Sequence, residues 1–265
     1  MSAVARPTSA QQTRRVLVLC AALFSILMAY GQMGLGWGQS ASEFSADSDA
    51  TLKVAGFAFS IWGVIYLGLL AYAVRQALPQ TGESDLIGAM GWPSVLAFLG
   101  IGLWIVAAAL DWEVATIVLI FGSLTVLLIP LLANAGRIRS LDLKARDRWL
   151  TVWPLSLLAG WLTIASPVNL LTVATGNGDL PALASPTVWA VIAVVIVAAV
   201  ALGVTARIRT MAYSLPISWG LLGAFVAEQP RNAPLAWTAL LAAAVILVGA
   251  VVLSFGLKRG VARSD

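Results

Sequence analysis

The chain has 265 residues, 60% of them hydrophobic and 11% charged, with a mean hydropathy of +0.92. That is too little charged surface for a soluble domain of this size. A chain of apolar runs about 20 residues long reads instead as an all-α polytopic membrane protein, because backbone polar groups in lipid must be satisfied within their own helix. The single cysteine, Cys20, can form no intrachain disulfide. The lack of histidine argues against a His-ligated haem, a zinc centre or a His proton relay.

In chain order, the uncharged runs are 16–42, 54–74, 86–110, 114–136, 149–178, 180–206, 210–227 and 232–257. Each can hold a spanning helix, so about eight transmembrane helices are expected. The first run follows a polar tail, 1–15, and opens on "TRRVLVLCAALF". Paired arginines ahead of an apolar core have the form of a twin-arginine export signal. A retained signal-anchor is the expected reading, since no small-x-small cleavage site and no soluble cargo follow. The first connecting loop, "QSASEFSADSDATLK", carries three acids. The second span is uncharged from Ala55 to Tyr72, and "DWE" at 111–113 divides 86–136 into two helices.

Charge orients the set. With the N-terminus in the cytoplasm, 14 of the 16 Lys and Arg residues fall inside and only Lys53 and Arg231 outside. This is the positive-inside pattern, and it makes both termini cytoplasmic. The sequence pI of about 9.6 then belongs to cytoplasmic loops, and no nucleic-acid partner is expected. No Asp, Glu or Lys lies near the middle of a span. That excludes a retinal Schiff base on a mid-helix lysine and weakens an ion-coupled transporter. Glu228 and Arg231, at the outer end of the seventh span, read as a solvated pair. Asp111 and Glu113 read as a turn rather than a cation site.

The 11 tryptophans divide by depth. Trp37, Trp92, Trp112, Trp149, Trp153, Trp189 and Trp237 lie near span ends, where indoles anchor at headgroups. Trp62, Trp104, Trp161 and Trp219 lie well inside, where an indole N–H needs a protein partner. In the second span Phe59, Trp62 and Tyr66 share a helical face, while Gly56 and Gly63 are candidates for close helix approach. In the fifth, Trp161, Ala165 and Asn169 form a stripe at i, i+4 and i+8, bracketed by Pro154 and Pro167. Each stripe alone is explained by helix packing. Several helices offering a mid-depth Trp make a shared aromatic pocket an equal alternative, suited to a flat apolar ligand.

The stretch "FSIWGVIYLGLLAYAV" (59–74) resembles the second-helix signature of the TspO/MBR family, the tryptophan-rich sensory and translocator proteins. "PLSLLAGWLTIASPVNLLT" (154–172) resembles its final helix, and "LGIGLWIVAAA" (99–109) its third. The resemblance covers roughly 16–173. It implies a TspO-like five-helix bundle there, followed by three additional helices over 174–257 and a cytoplasmic tail over 258–265. This is the form of a longer bacterial branch. There are departures: Gly100 stands where the family usually has Asn, and the proline-rich stretch before the second helix is missing.

By resemblance, the protein is a sensory or ligand-binding protein of a bacterial cytoplasmic membrane. Its ligand would be a tetrapyrrole such as porphyrin, or a sterol or isoprenoid, with no cofactor required. Phe59, Trp62, Tyr66, Trp104, Trp161, Ala165 and Asn169 would line the pocket, and the outer loop Gln39–Thr51 would act as a lid. Its acids would disfavour porphyrin propionates. No catalytic or metal-binding constellation is present in the sequence. A small-molecule transporter and a porphyrin-modifying enzyme are the alternatives. The small-residue run "AVIAVVIVAAVALG" leaves two uses open, a homodimer face or a lipid-facing surface.

Overall fold

The computed structural model describes residues 7–46, 51–78 and 80–255. Arg6, Asp47, Asp49, Lys258, Arg259 and Arg263, and with them the C-terminal tail and part of the lid, lie outside the described residues. Among those described, the chain is all-α. It forms α1 (Ser9–Leu35), α2 (Ala41–Ala46), α3 (Ile61–Ala77, entered through a 3-10 turn at Gly56–Ser60), α4 (Asp85–Ala109) and α5 (Glu113–Ala133). Then follow α6 (Ala135–Ser140), α7 (Trp153–Gly176, entered through a π-turn at Arg148–Val152), α8 (Pro186–Ile208), α9 (Met211–Glu228) and α10 (Ala233–Phe255).

Seven of these stretches are long and apolar enough to cross a membrane: Ser9–Leu35, Gly56–Ala77, Asp85–Ala109, Glu113–Ala133, Arg148–Gly176, Pro186–Ile208 and Ala233–Phe255. The chain is therefore an all-α polytopic membrane protein. The remaining expected span folds as α9, which is 18 residues long. Its apolar signal is diluted by buried Tyr213, Ser214, Ser218 and Glu228.

Local chemistry sets the helix ends. Thr8 and Gln11 form a reciprocal capping box at the start of α1, and Gly36 closes it in the left-handed conformation (φ 62°). Ser84 caps α4, and Ser185 with Pro186 starts α8. The "DWE" turn is as expected, with Asp111 left-handed (φ 57°) and the Trp112 N–H bonded to the Ala107 carbonyl. Pro154 has no N–H to donate, and it lies two residues beyond the π-turn, where the hydrogen-bond register shifts.

The chain forms two compact units, one of residues 1–45 and 59–155, the other of 46–58 and 156–265. This division differs from a cut at 173. In the first unit α1 packs on α3 and α4, and α4 on α5. In the second, α8, α9 and α10 pack on one another, and α7 meets α9 where Gly160 faces the Tyr213 backbone.

Two expectations require correction, and the paired arginines have a partner that the sequence did not show. Arg14 and Arg15 are 7% and 2% exposed and converge on Glu83 at 2.6 and 2.7 Å. Arg15 Nε and Nη2 donate to Glu83, and its Nη1 and Nη2 also reach the carbonyls of Gln76, Thr81 and Gly82. A positive charge this deep persists only when paired. Glu228 is likewise buried, at 2% exposed. Its carboxylate accepts the Lys53 backbone N–H at 2.7 Å and lies 3.6 Å from Arg231. Gly56 and Gly63 face open space, so they are not close-approach sites.

Candidate functional site

The first unit gathers aromatic rings from four helices. Trp62 and Tyr66 stand one turn apart on α3 with their rings stacked, centroids 5.1 Å apart and planes at 25°. Tyr30 of α1 tilts onto Tyr66 at 6.0 Å. Trp104 of α4 and Phe44 of α2 meet in a T-shaped arrangement at 6.0 Å and 86°. Both are favourable quadrupole geometries. Tyr66 and Trp104 are buried, and Trp62 is half-buried. Phe59 precedes them in the 3-10 turn, half-buried, outside the α-helical register from which its face was inferred.

The expected lid begins in a fixed place. Gln32 donates its side-chain amide to the Trp37 carbonyl at 3.0 Å, and the Gln39 N–H bonds the Ala109 carbonyl. Gly38 is left-handed (φ 63°) and lies so close to Ala109 that any Cβ would overlap that residue's carbonyl. The lid then turns into α2, where the Ser40 N–H bonds Glu43 at 2.7 Å. Hydrogen bonds to the Ser40 side chain, and then to its backbone N–H, hold the Glu43 carboxyl below its ordinary value. A carboxyl depressed in this way favours the capped helix above its unfolded value and stops doing so as pH falls through the folded one. As pH falls through that lowered value, the lid is expected to loosen. The protection of the Ser40 and Phe44 amides, relative to their intrinsic exchange, should drop there, and Glu43→Gln should remove the pH step.

The second unit carries Trp161, Ala165 and Asn169 on successive turns of α7. Trp161 and Asn169 are buried, and Ala165 is half-buried. Gly220 of α9 faces the Trp161 ring, where a Cβ would stand 3.4 Å away. The seven expected residues thus divide, with Phe59, Trp62, Tyr66 and Trp104 in one unit and Trp161, Ala165 and Asn169 in the other. Trp219 donates its indole N–H to the Ala58 carbonyl at 2.9 Å and meets Phe57 edge-on at 5.4 Å. Trp92, Trp112, Trp149 and Trp237 are exposed, as span-end anchors should be.

Gly100 has a structural reason. A Cβ there would overlap the Ser123 hydroxyl of α5, so a larger residue at this position would require that hydroxyl to turn away. Tyr30, Phe44 and Ser123 were not singled out from sequence. Tyr30 had a visible signal, an aromatic inside an otherwise aliphatic span. Phe44 had none, because its role depends on how α2 docks.

A family model described as TSPO-like protein matches residues 15–252. The match runs past residue 173, so it takes in most of the last three helices as well. Comparisons with curated proteins and with solved structures found no match.

Proposed function

The chain belongs to the TSPO-like protein family, and from that premise we propose that it is a ligand-binding sensory protein of a bacterial cytoplasmic membrane. Its ligand is a flat hydrophobic molecule, a tetrapyrrole or a sterol or isoprenoid, taken up among the aromatic rings of the first unit. The observation that supports this reading is the stacked Trp62–Tyr66 pair, together with the T-shaped contact of Trp104 with Phe44 of the lid helix. A stacked indole and phenol offer a planar ligand a matching face. Trp104 beneath a short, locally capped helix gives that ligand an entrance that opens at low cost. The positive-inside distribution supports cytoplasmic termini.

The test is intrinsic Trp fluorescence of the purified chain, titrated with protoporphyrin IX and, separately, with a sterol. Saturable quenching is expected in the wild type. Trp62→Ala should raise Kd by tenfold or more, about 1.4 kcal/mol. Trp161→Ala and Asn169→Leu read the α7 stripe by itself. Quenching that does not saturate, or that is equal in every variant, removes the tetrapyrrole from this reading.

A further inference from the structure

The helix that carries Trp62 and Tyr66 has no cap of its own. Ser60 stands at the cap position of α3 and makes no side-chain hydrogen bond there. A helix start without a cap leaves its first amides to the chain that precedes it. Here that chain is the 3-10 turn at Gly56–Ser60, closed by the Ala58 N–H on the Ala55 carbonyl at 2.9 Å.

The turn ends a strap, residues 51–58, that is built into the second unit. The Thr51 and Thr175 hydroxyls lie 2.6 Å apart. The Lys53 N–H donates to the buried Glu228 carboxylate at 2.7 Å, and the Ala55 N–H to the Gly223 carbonyl at 3.0 Å. The Trp219 indole N–H donates to the Ala58 carbonyl at 2.9 Å. The strap therefore runs antiparallel to α9, from Glu228 past Gly223 to Trp219. It also fits closely: Leu52 and Ala58 are 1% and 0% exposed, and a Cβ on Gly223 would stand 2.7 Å from Ala58 Cβ. Irregular backbone at membrane depth must find its partners within the protein, and α9 supplies a carboxylate, a carbonyl and an indole.

We infer that α9 is the seat of this strap, and that Trp219, Gly223 and Glu228 are positioning residues for the Trp62–Tyr66 face. Ala58 is peptide-bonded to Phe59, where the chain passes into the first unit. The path from α9 to Trp62 is thus one hydrogen bond and one helical turn of chain. This gives the last helices a use beyond bulk, since they fix the entry of α3. The consequence for ligand affinity rests on the function proposed above; the hold on the α3 entry does not.

The experiment uses the full chain in detergent with two variants. Trp219→Phe keeps a ring beside Phe57 and removes the N–H donated to Ala58. Gly223→Leu leaves every donor and acceptor in place and pushes the strap off its seat. Amide protection, relative to intrinsic exchange, is first followed without ligand, with the amides of α5 as the folding control. In both variants Ala55 and residues 62–65 should lose at least fivefold in protection while α5 keeps its own. Where Gly223→Leu loosens α5 as well, Trp219→Phe decides. Loss at Ala55 with none at 62–65 overturns the inference, and so does no loss at either.

The second readout is binding of protoporphyrin IX, followed by its own absorbance so that the missing indole does not enter the signal. Trp219→Phe should raise Kd about tenfold in the wild type and add nothing in a Trp62→Ala background, because the strap acts through that ring. An unchanged Kd, or losses that simply add, overturns the inference. A wild type that takes up no protoporphyrin removes the tetrapyrrole reading instead, and the amide result alone then decides whether α9 holds the α3 entry.

Discussion

Arg15→Met is expected to lose about 3–5 kcal/mol of stability, the largest loss from any single side chain in the first unit. The reason is the number of groups that depend on this guanidinium. Its donors reach Glu83 and three carbonyls between residues 76 and 82, and so tie the start of α1 to the α3–α4 connection. Methionine fills much of the volume but leaves Glu83 with one cation and the carbonyls without their donor. Lysine should recover only part of the loss, because an ammonium carries three donors from one point and cannot reproduce the fork. Glu83→Gln should be comparably severe, since it breaks both ion pairs. Arg137→Gln is the control: its side chain is 58% exposed and its ion pair contributes little. Thermal unfolding in detergent reads the series. If Arg15→Met melts with Arg137→Gln, the cluster does not hold the unit together.

The spans were legible in the sequence because each helix satisfies its own backbone, so an apolar run and its ends suffice to place it. The turn at Asp111 and the cap at Ser185 are equally local. What could not be read was pairing across distance. Arg15 and Glu83 are 68 residues apart, Trp219 and Ala58 161, and Lys53 and Glu228 175. No periodicity along a single helix encodes such partners. Charge near a span end therefore read as solvated for Glu228, although it is buried. The site was legible in the same partial way. Mid-depth rings stand out in any apolar run, so Trp62, Tyr66 and Trp104 could be picked out. Phe44 could not, because its contact with Trp104 depends on the docking of a six-residue helix.

Glycine shows the same limit and carries the second large effect. Gly63 looked like a contact position and faces open space, whereas Gly160, which was not singled out, is pressed against a neighbouring backbone. A Cβ on Gly160 would overlap the Tyr213 carbonyl oxygen and stand 2.8 Å from Pro216 Cγ. Neither obstacle is a flexible side-chain tip. One is backbone and the other a ring fixed to it, so relief requires α9 to move away from α7. That movement would also strain the 2.6 Å hydrogen bond between the Thr163 and Tyr213 hydroxyls, one turn further along the same face. Gly160→Val should therefore cost about 1–3 kcal/mol for overpacking and about another 1 for the weakened hydrogen bond. Gly63→Val should stay within about 0.5 kcal/mol of the wild type. Small residues let membrane helices approach closely only where a neighbouring backbone is present. Melting curves for the two variants test that placement: equal losses would mean that α7 and α9 do not meet at Gly160, while a loss confined to Gly160→Val fixes the contact that sets the last helices against Trp161.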